Sequence, residues 1–189
     1  GCPCAGKPFQ CFHMRIISGS HKGRVIRMPS VFHARPTTDF AKTGLFNILT
    51  NRVDFSETSV LDLFSGTGSI SYEFASRGCP RVEFVEANAL HFSFIEKTAV
   101  LFKMYAVRGH RTDAFLFLKR CRSKYDVIFA DPPYDLQGIE TIPELVFQNS
   151  LLNDGGCLII EHSANCSFEN HPNFKEKRNY GNVNFSFMV

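Results

Sequence analysis

The chain has 189 residues, room for one domain with a substantial core or one domain plus a short appendage. Its 44% hydrophobic and 21% charged residues exclude a disordered chain, and no apolar run reaches the length of a membrane span. A net charge of +3 is too mild to establish a nucleic-acid partner, and seven scattered cysteines outline no disulfide framework, so a reducing cytoplasm is expected.

Residues 1–13 carry one Lys and no long apolar core, so they read as a disordered or non-native leader rather than a secretory signal. Cys2, Cys4, Cys11 and His13 lack the close Cys pairing of a zinc site, and no metal is expected. Arg15-Ile16-Ile17 and Arg24-Val25-Ile26 flank a Gly-containing turn and predict a small hairpin. Between Arg15 and Arg35, the cations Arg15, Lys22, Arg24, Arg27 and Arg35 occur without an acidic residue, a pattern suited to neutralising phosphates. Thr38 or Asp39 can cap a helix with Phe40, Leu45, Phe46, Ile48 and Leu49 on one face. Residues 14–52 are thus expected to form a basic hairpin-and-helix extension to a main domain over 53–189.

From Ser59 strands and helices alternate. Val60 to Phe64 is a buried strand, followed by the Ser65-Gly66-Thr67-Gly68 break and a helix to Arg77 that Gly78 stops. Val82 to Glu86 is the next strand, and Leu90 to Met104 a helix with Phe94, Ile95, Val100 and Leu101 inward. Tyr105 to Arg108 forms a third strand, with a helix from Thr112 or Asp113 to Arg120. Val127-Ile128-Phe129-Ala130 reads as a buried strand that stops at Asp131, because Pro132 and Pro133 have no N–H for the ladder. Ile142 to Leu152 is helical, Cys157 to Glu161 a strand, and Asn173 to Lys175 pairs antiparallel with Val183 to Phe187. Repeated βα units with a terminal antiparallel pair predict an α/β fold, a doubly wound, mostly parallel seven-stranded sheet of Rossmann-like type.

Asp62, Glu86, Asp113 and Asp131 place a carboxylate at the end of each of the four parallel strands, at the sheet edge where open α/β folds bind ligands. Capping of the following helix is the competing explanation for Asp113. The Gly66-Thr67-Gly68 turn lacks both the Gly-x-Gly-x-x-Gly spacing of a dinucleotide site and the Gly-Lys-Ser/Thr of a phosphate loop. An acidic edge repels pyrophosphate and suits a ligand with an amino group, a ribose and a positive centre. S-adenosylmethionine has these features and no phosphate.

Asp62-Leu63-Phe64-Ser65-Gly66-Thr67-Gly68, Phe84-Val85-Glu86 and Asp131-Pro132-Pro133-Tyr134 together resemble a class I S-adenosylmethionine-dependent methyltransferase acting on an exocyclic amine. Met14 to Gly19, Lys22-Gly23-Arg24, Arg35 to Asp39 and Leu45 to Leu49 narrow the resemblance to the bacterial small-subunit (16S) ribosomal RNA guanine-N2 methyltransferase family. One departure is Phe40-Ala41-Lys42-Thr43-Gly44, where that family usually places Arg and Glu.

The resemblance implies that Asp62, Phe64, the loop Ser65, Gly66, Thr67, Gly68, and Glu86 with Ala87 hold S-adenosylmethionine. It places Asp113 and Ala114 near the adenine and Asp131 between cofactor and amine. Asp131 and the Pro132 carbonyl are then the acceptors for the amine hydrogens and Tyr134 the ring that stacks on an extruded base. Arg15, Lys22, Arg24 and Arg35 would grip RNA. The implied partner is small-subunit ribosomal RNA or an assembling 30S particle, met by a monomer with no membrane association. DNA adenine N6 or a protein glutamine amide are alternative targets, because related loops serve those amines. A non-catalytic RNA-binding assembly factor is the alternative outside enzymes.

Overall fold

The computed structural model describes residues 13–29, 32 and 38–189. The leader up to residue 12 and Arg35 lie outside the described residues. In chain order the elements are β1 (His13–Arg15), β2 (Val25–Arg27), α1 (Asp39–Thr50), β3 (Ser59–Leu63), α2 (Ser69–Ser76), β4 (Arg81–Val85) and α3 (Ala89–Leu101). They continue with β5 (Val107–His110), α4 (Ala114–Arg120), β6 (Tyr125–Ala130), α5 (Thr141–Gln148), β7 (Leu152–His162), β8 (Phe174–Tyr180) and β9 (Val183–Met188).

The seven-stranded sheet runs β5-β4-β3-β6-β7-β9-β8, with β9 antiparallel to both neighbours and the other pairings parallel. Its strand order reverses between β3 and β6, the switch point where a crevice opens beyond the carboxyl ends. Alternation along the strands feeds two cores. On one face Leu61, Leu63, Ile128 and Leu158 meet Leu118 of α4 and Ile142 and Val146 of α5. On the other, Val60, Val127, Phe129 and Ile159 meet Leu45, Phe46 and Leu49 of α1 and Ile70 and Phe74 of α2.

The β1–β2 hairpin packs Met14, Ile16, Ile26 and Met28 on Tyr72, Ile95 and Ala99. Glu73, fully buried, accepts from Ile17 N at 2.8 Å and Ser18 N at 3.0 Å while pairing with Arg77 at 2.9 Å. Gly19 is packed so closely that a Cβ there would lie 1.8 Å from Ser76 O.

Several boundaries differ from expectation. The hairpin strands are shifted to His13–Arg15 and Val25–Arg27, so His13 belongs to the hairpin rather than the leader. Thr38 caps α1, whose buried stripe is Ala41, Leu45 and Leu49 at i, i+4 spacing; Phe40 falls outside it, 67% exposed, edge-on to Tyr180. Gly44 lets the Tyr180 ring sit against α1, since a Cβ would meet it at 2.1 Å. In α3 the inner stripe is Ile95 and Ala99, which turns Val100 and Leu101 to solvent. Tyr105 is exposed and β5 starts at Val107, after a turn. Ser150 at φ 52° ends the α5 segment, so Leu152 opens β7, a much longer strand than Cys157 to Glu161.

Candidate active site

Beyond β3 the chain turns through backbone conformations that side chains rarely adopt: Phe64 at φ 59°, Gly66 at 55° and Gly68 at 83°. Gly68 caps α2, and a Cβ there would approach the Tyr72 ring to 2.8 Å. Ser65 Oγ donates to Asp62 O at 2.7 Å, and Ser65 N to Val85 O at 3.2 Å. Gly66 N donates to one oxygen of Glu86 at 2.8 Å and Asn88 N to the other at 2.7 Å. A carboxylate has about four acceptor positions, so Glu86 keeps capacity for further donors.

Asp62, the penultimate residue of β3, is 1% exposed and accepts from Ser71 Oγ at 2.5 Å. Burial pushes its carboxyl up to about 7, with the Ser71 hydrogen bonds opposing and the Glu86 charge adding. Asp113 caps α4 through Leu116 N at 2.9 Å, as the competing explanation held, and its position also borders the crevice. β6 ends at Ala130; Asp131 N still reaches Leu63 O at 3.3 Å, and Pro132 ends the ladder. The Asp131 carboxyl is held well above the usual carboxylate range, first by desolvation and then by the charges of Glu161 and Asp62. Tyr134 is 58% exposed at the rim, its hydroxyl pKa raised by burial and by the same Glu161 and Asp131.

These groups surround one cavity of about 830 Å³. Asp62, Phe64, Ser65, Gly66 and Thr67 line it from β3 and its loop; Glu86, Ala87, Asp113 and Ala114 from beyond β4 and β5; Asp131, Pro132 and Tyr134 from beyond β6. Gly68 is not on the wall and acts through the turn. Among the described lining residues there is no Lys or Arg, so a pyrophosphate would meet their carboxylates without countercharge from them, whereas a cation with hydroxyls is well matched.

The hairpin abuts this cavity. Met14 Sδ lies 4.0 Å from Thr67 Oγ1, and the buried Lys42 donates to Arg15 O at 2.8 Å and Ser69 Oγ at 3.0 Å. Burial lowers the Lys42 pKa. Arg15, Lys22 and Arg24 are exposed; Arg15 lies 3.6 Å from Asp39, and the Arg24 guanidinium stacks 5.0 Å from the Phe102 ring centre. Lys42 carried no sequence signal beyond its helix position, and the cavity residue most clearly missed is Glu161, read only as the end of a strand.

A family model described as conserved hypothetical protein 95 matches residues 14–189. A Haemophilus influenzae protein named ribosomal RNA small subunit methyltransferase D is 30% identical over 152 residues, covering 78% of each chain. Its Escherichia coli K12 namesake is 28% identical over 148 residues, covering 78% of this chain and 74% of that one. Among solved structures, Escherichia coli yhhF superposes with a TM-score of 0.81 at 25% identity, covering 93% of this chain and 97% of that one.

Proposed function

We propose that this chain, which belongs to the conserved hypothetical protein 95 family, transfers a methyl group from S-adenosylmethionine to the N2 amine of a guanine in small-subunit ribosomal RNA. The cytoplasm is the compartment where it would meet that RNA. The observation that carries the reading is the Asp131-Pro132-Pro133-Tyr134 tip of β6, opening into a crevice rich in carboxylates and, among the described residues, without a lining cation. The relatives' names supply the class of RNA.

The donor set fits S-adenosylmethionine. Buried carboxyls held above their usual range favour a positively charged occupant, and Glu86 has acceptor capacity left for ribose hydroxyls. The Ser65 to Thr67 loop would border it, with Ala87, Asp113 and Ala114 toward the adenine. When bound, the cofactor supplies an electrophilic methyl group on a sulfonium.

The chain's own task is to make a guanine amine nucleophilic. The N2 lone pair is delocalised into the ring, and acceptors on both amine hydrogens help the nitrogen toward tetrahedral geometry. The Asp131 carboxylate and the Pro132 carbonyl are suited to this, and Pro132 brings no competing N–H. A cation in the crevice would favour ionised Asp131, and once its charge is lost in the transfer, burial and the Glu161 charge would again raise the carboxyl's proton affinity, equipping it to take the proton the amine sheds. Tyr134 offers a ring for stacking the extruded base, and the hairpin cations would hold backbone phosphates beside the crevice.

Tritiated methyl transfer to small-subunit RNA, free or in assembling 30S particles, and to DNA and ribosomal protein tests the proposal. Nucleoside analysis should find the label in N2-methylguanosine at one mapped position. Label in N6-methyladenine or in glutamine, or none in any substrate, overturns it.

A further inference from the structure

Glu161 is 3% exposed and lies at the carboxyl end of β7. The parallel register pairs Ala130 with Ile160, so Asp131 and Glu161 follow as neighbours, and alternation turns both to the same face of the sheet. Glu161 lines the same cavity, and its charge is the strongest charge effect on Asp131.

Sheet order separates the duties of the acidic residues. Asp62 lies in β3, Glu86 just beyond β4 and Asp113 in the segment after β5, all on one side of β6. Glu161 stands on the other side, where the wall is completed by Asn182 and Val183 at the start of β9, with Tyr134 at the rim above. That half of the crevice is left for the base. Guanine offers adjacent donors there, N1–H and the N2 amine. Adenine and cytosine set a ring-nitrogen lone pair beside their amine, which a neighbouring carboxylate repels.

We propose that Glu161 is a specificity-determining residue: it accepts N1–H of the target guanine while Asp131 accepts from the N2 amine, so the pair admits a donor–donor edge and rejects a donor–acceptor one. This rests on the guanine-N2 reading above and names the group that enforces it.

The test uses an RNA spanning the mapped guanine and the same RNA with 2-aminopurine there, which keeps the amine but has a lone pair at N1. The wild-type protein should prefer guanine in kcat/KM by about tenfold to a hundredfold. Glu161→Gln, whose amide can donate to that lone pair, should reduce the preference about tenfold, whereas Glu161→Asp, which keeps the acceptor, should retain it. In binding followed by 2-aminopurine fluorescence with S-adenosylhomocysteine present, Glu161→Gln should bind the analogue RNA more tightly than wild type. Equal losses on both RNAs, or unchanged analogue binding, would reduce Glu161 to a structural role and overturn the proposal. Absence of wild-type transfer to the guanine RNA would instead sink the functional reading, and this assignment with it.

Discussion

Replacing Asp62 by Asn swaps a buried carboxyl for an isosteric amide, and the consequence for stability can be worked out. Asp62 is pushed from its ordinary 3.8 up to about 7, chiefly by burial. The folded protein therefore holds a proton that the unfolded chain has already released, and stability falls as pH rises between those two values. At pH 5 the unfolded carboxyl is essentially ionised; from there to pH 8 the group costs about 2–3 kcal/mol, at roughly 1.4 kcal/mol per pH unit up to the folded pKa. Urea unfolding of the ligand-free protein at intervals from pH 5 to pH 8 measures this. Wild type should lose roughly 2–3 kcal/mol more than Asp62→Asn across that range. Superimposable pH profiles would refute the reasoning, because they would mean that the carboxyl is not desolvated in the folded state.

Other outcomes follow from the same geometry. Tyr134→Ala should remove about 1–3 kcal/mol of base stacking, read as a roughly 5- to 150-fold loss in kcat/KM for RNA with donor affinity unchanged by calorimetry. Glu73→Ala strands the Arg77 guanidinium and the Ile17 and Ser18 amides that Glu73 now satisfies, and should cost about 3–5 kcal/mol in denaturant unfolding. Changing Arg15, Lys22 and Arg24 together to Gln should reduce the slope of log affinity against log salt by about 2 to 3 for three lost phosphate contacts. An unaltered slope would take RNA binding away from the hairpin.

The architecture was legible because central strands announce themselves twice, by uninterrupted apolar residues and by what stops them. Val127 to Ala130 is followed by prolines that cannot extend a ladder, and Leu61 to Leu63 by glycines that turn the chain. Surface periodicity was a poorer guide. Val100 and Leu101 are as apolar as Ile95, and only the i, i+4 pairing of Ile95 with Ala99 decides which side of α3 is buried. Hydrophobicity alone points Phe40 inward, yet it packs edge-on against Tyr180 from a distant strand, a contact set by tertiary structure. The crevice was readable where a carboxylate preceded a turn or a proline pair. Glu161 lacked such punctuation, and its place beside Asp131 depends on the β6–β7 register, which local sequence does not encode.

The central claim is that the acidic strand ends hold a methyl donor with its sulfur facing the proline-bounded tip. The structure of the protein with S-adenosylhomocysteine tests it most directly. The account predicts ribose hydroxyls donating to Glu86, the ligand running along Ser65 to Thr67, and sulfur directed toward Asp131 and Pro132. A ligand seated elsewhere, or one in this crevice with its sulfur turned away from Asp131, would contradict it.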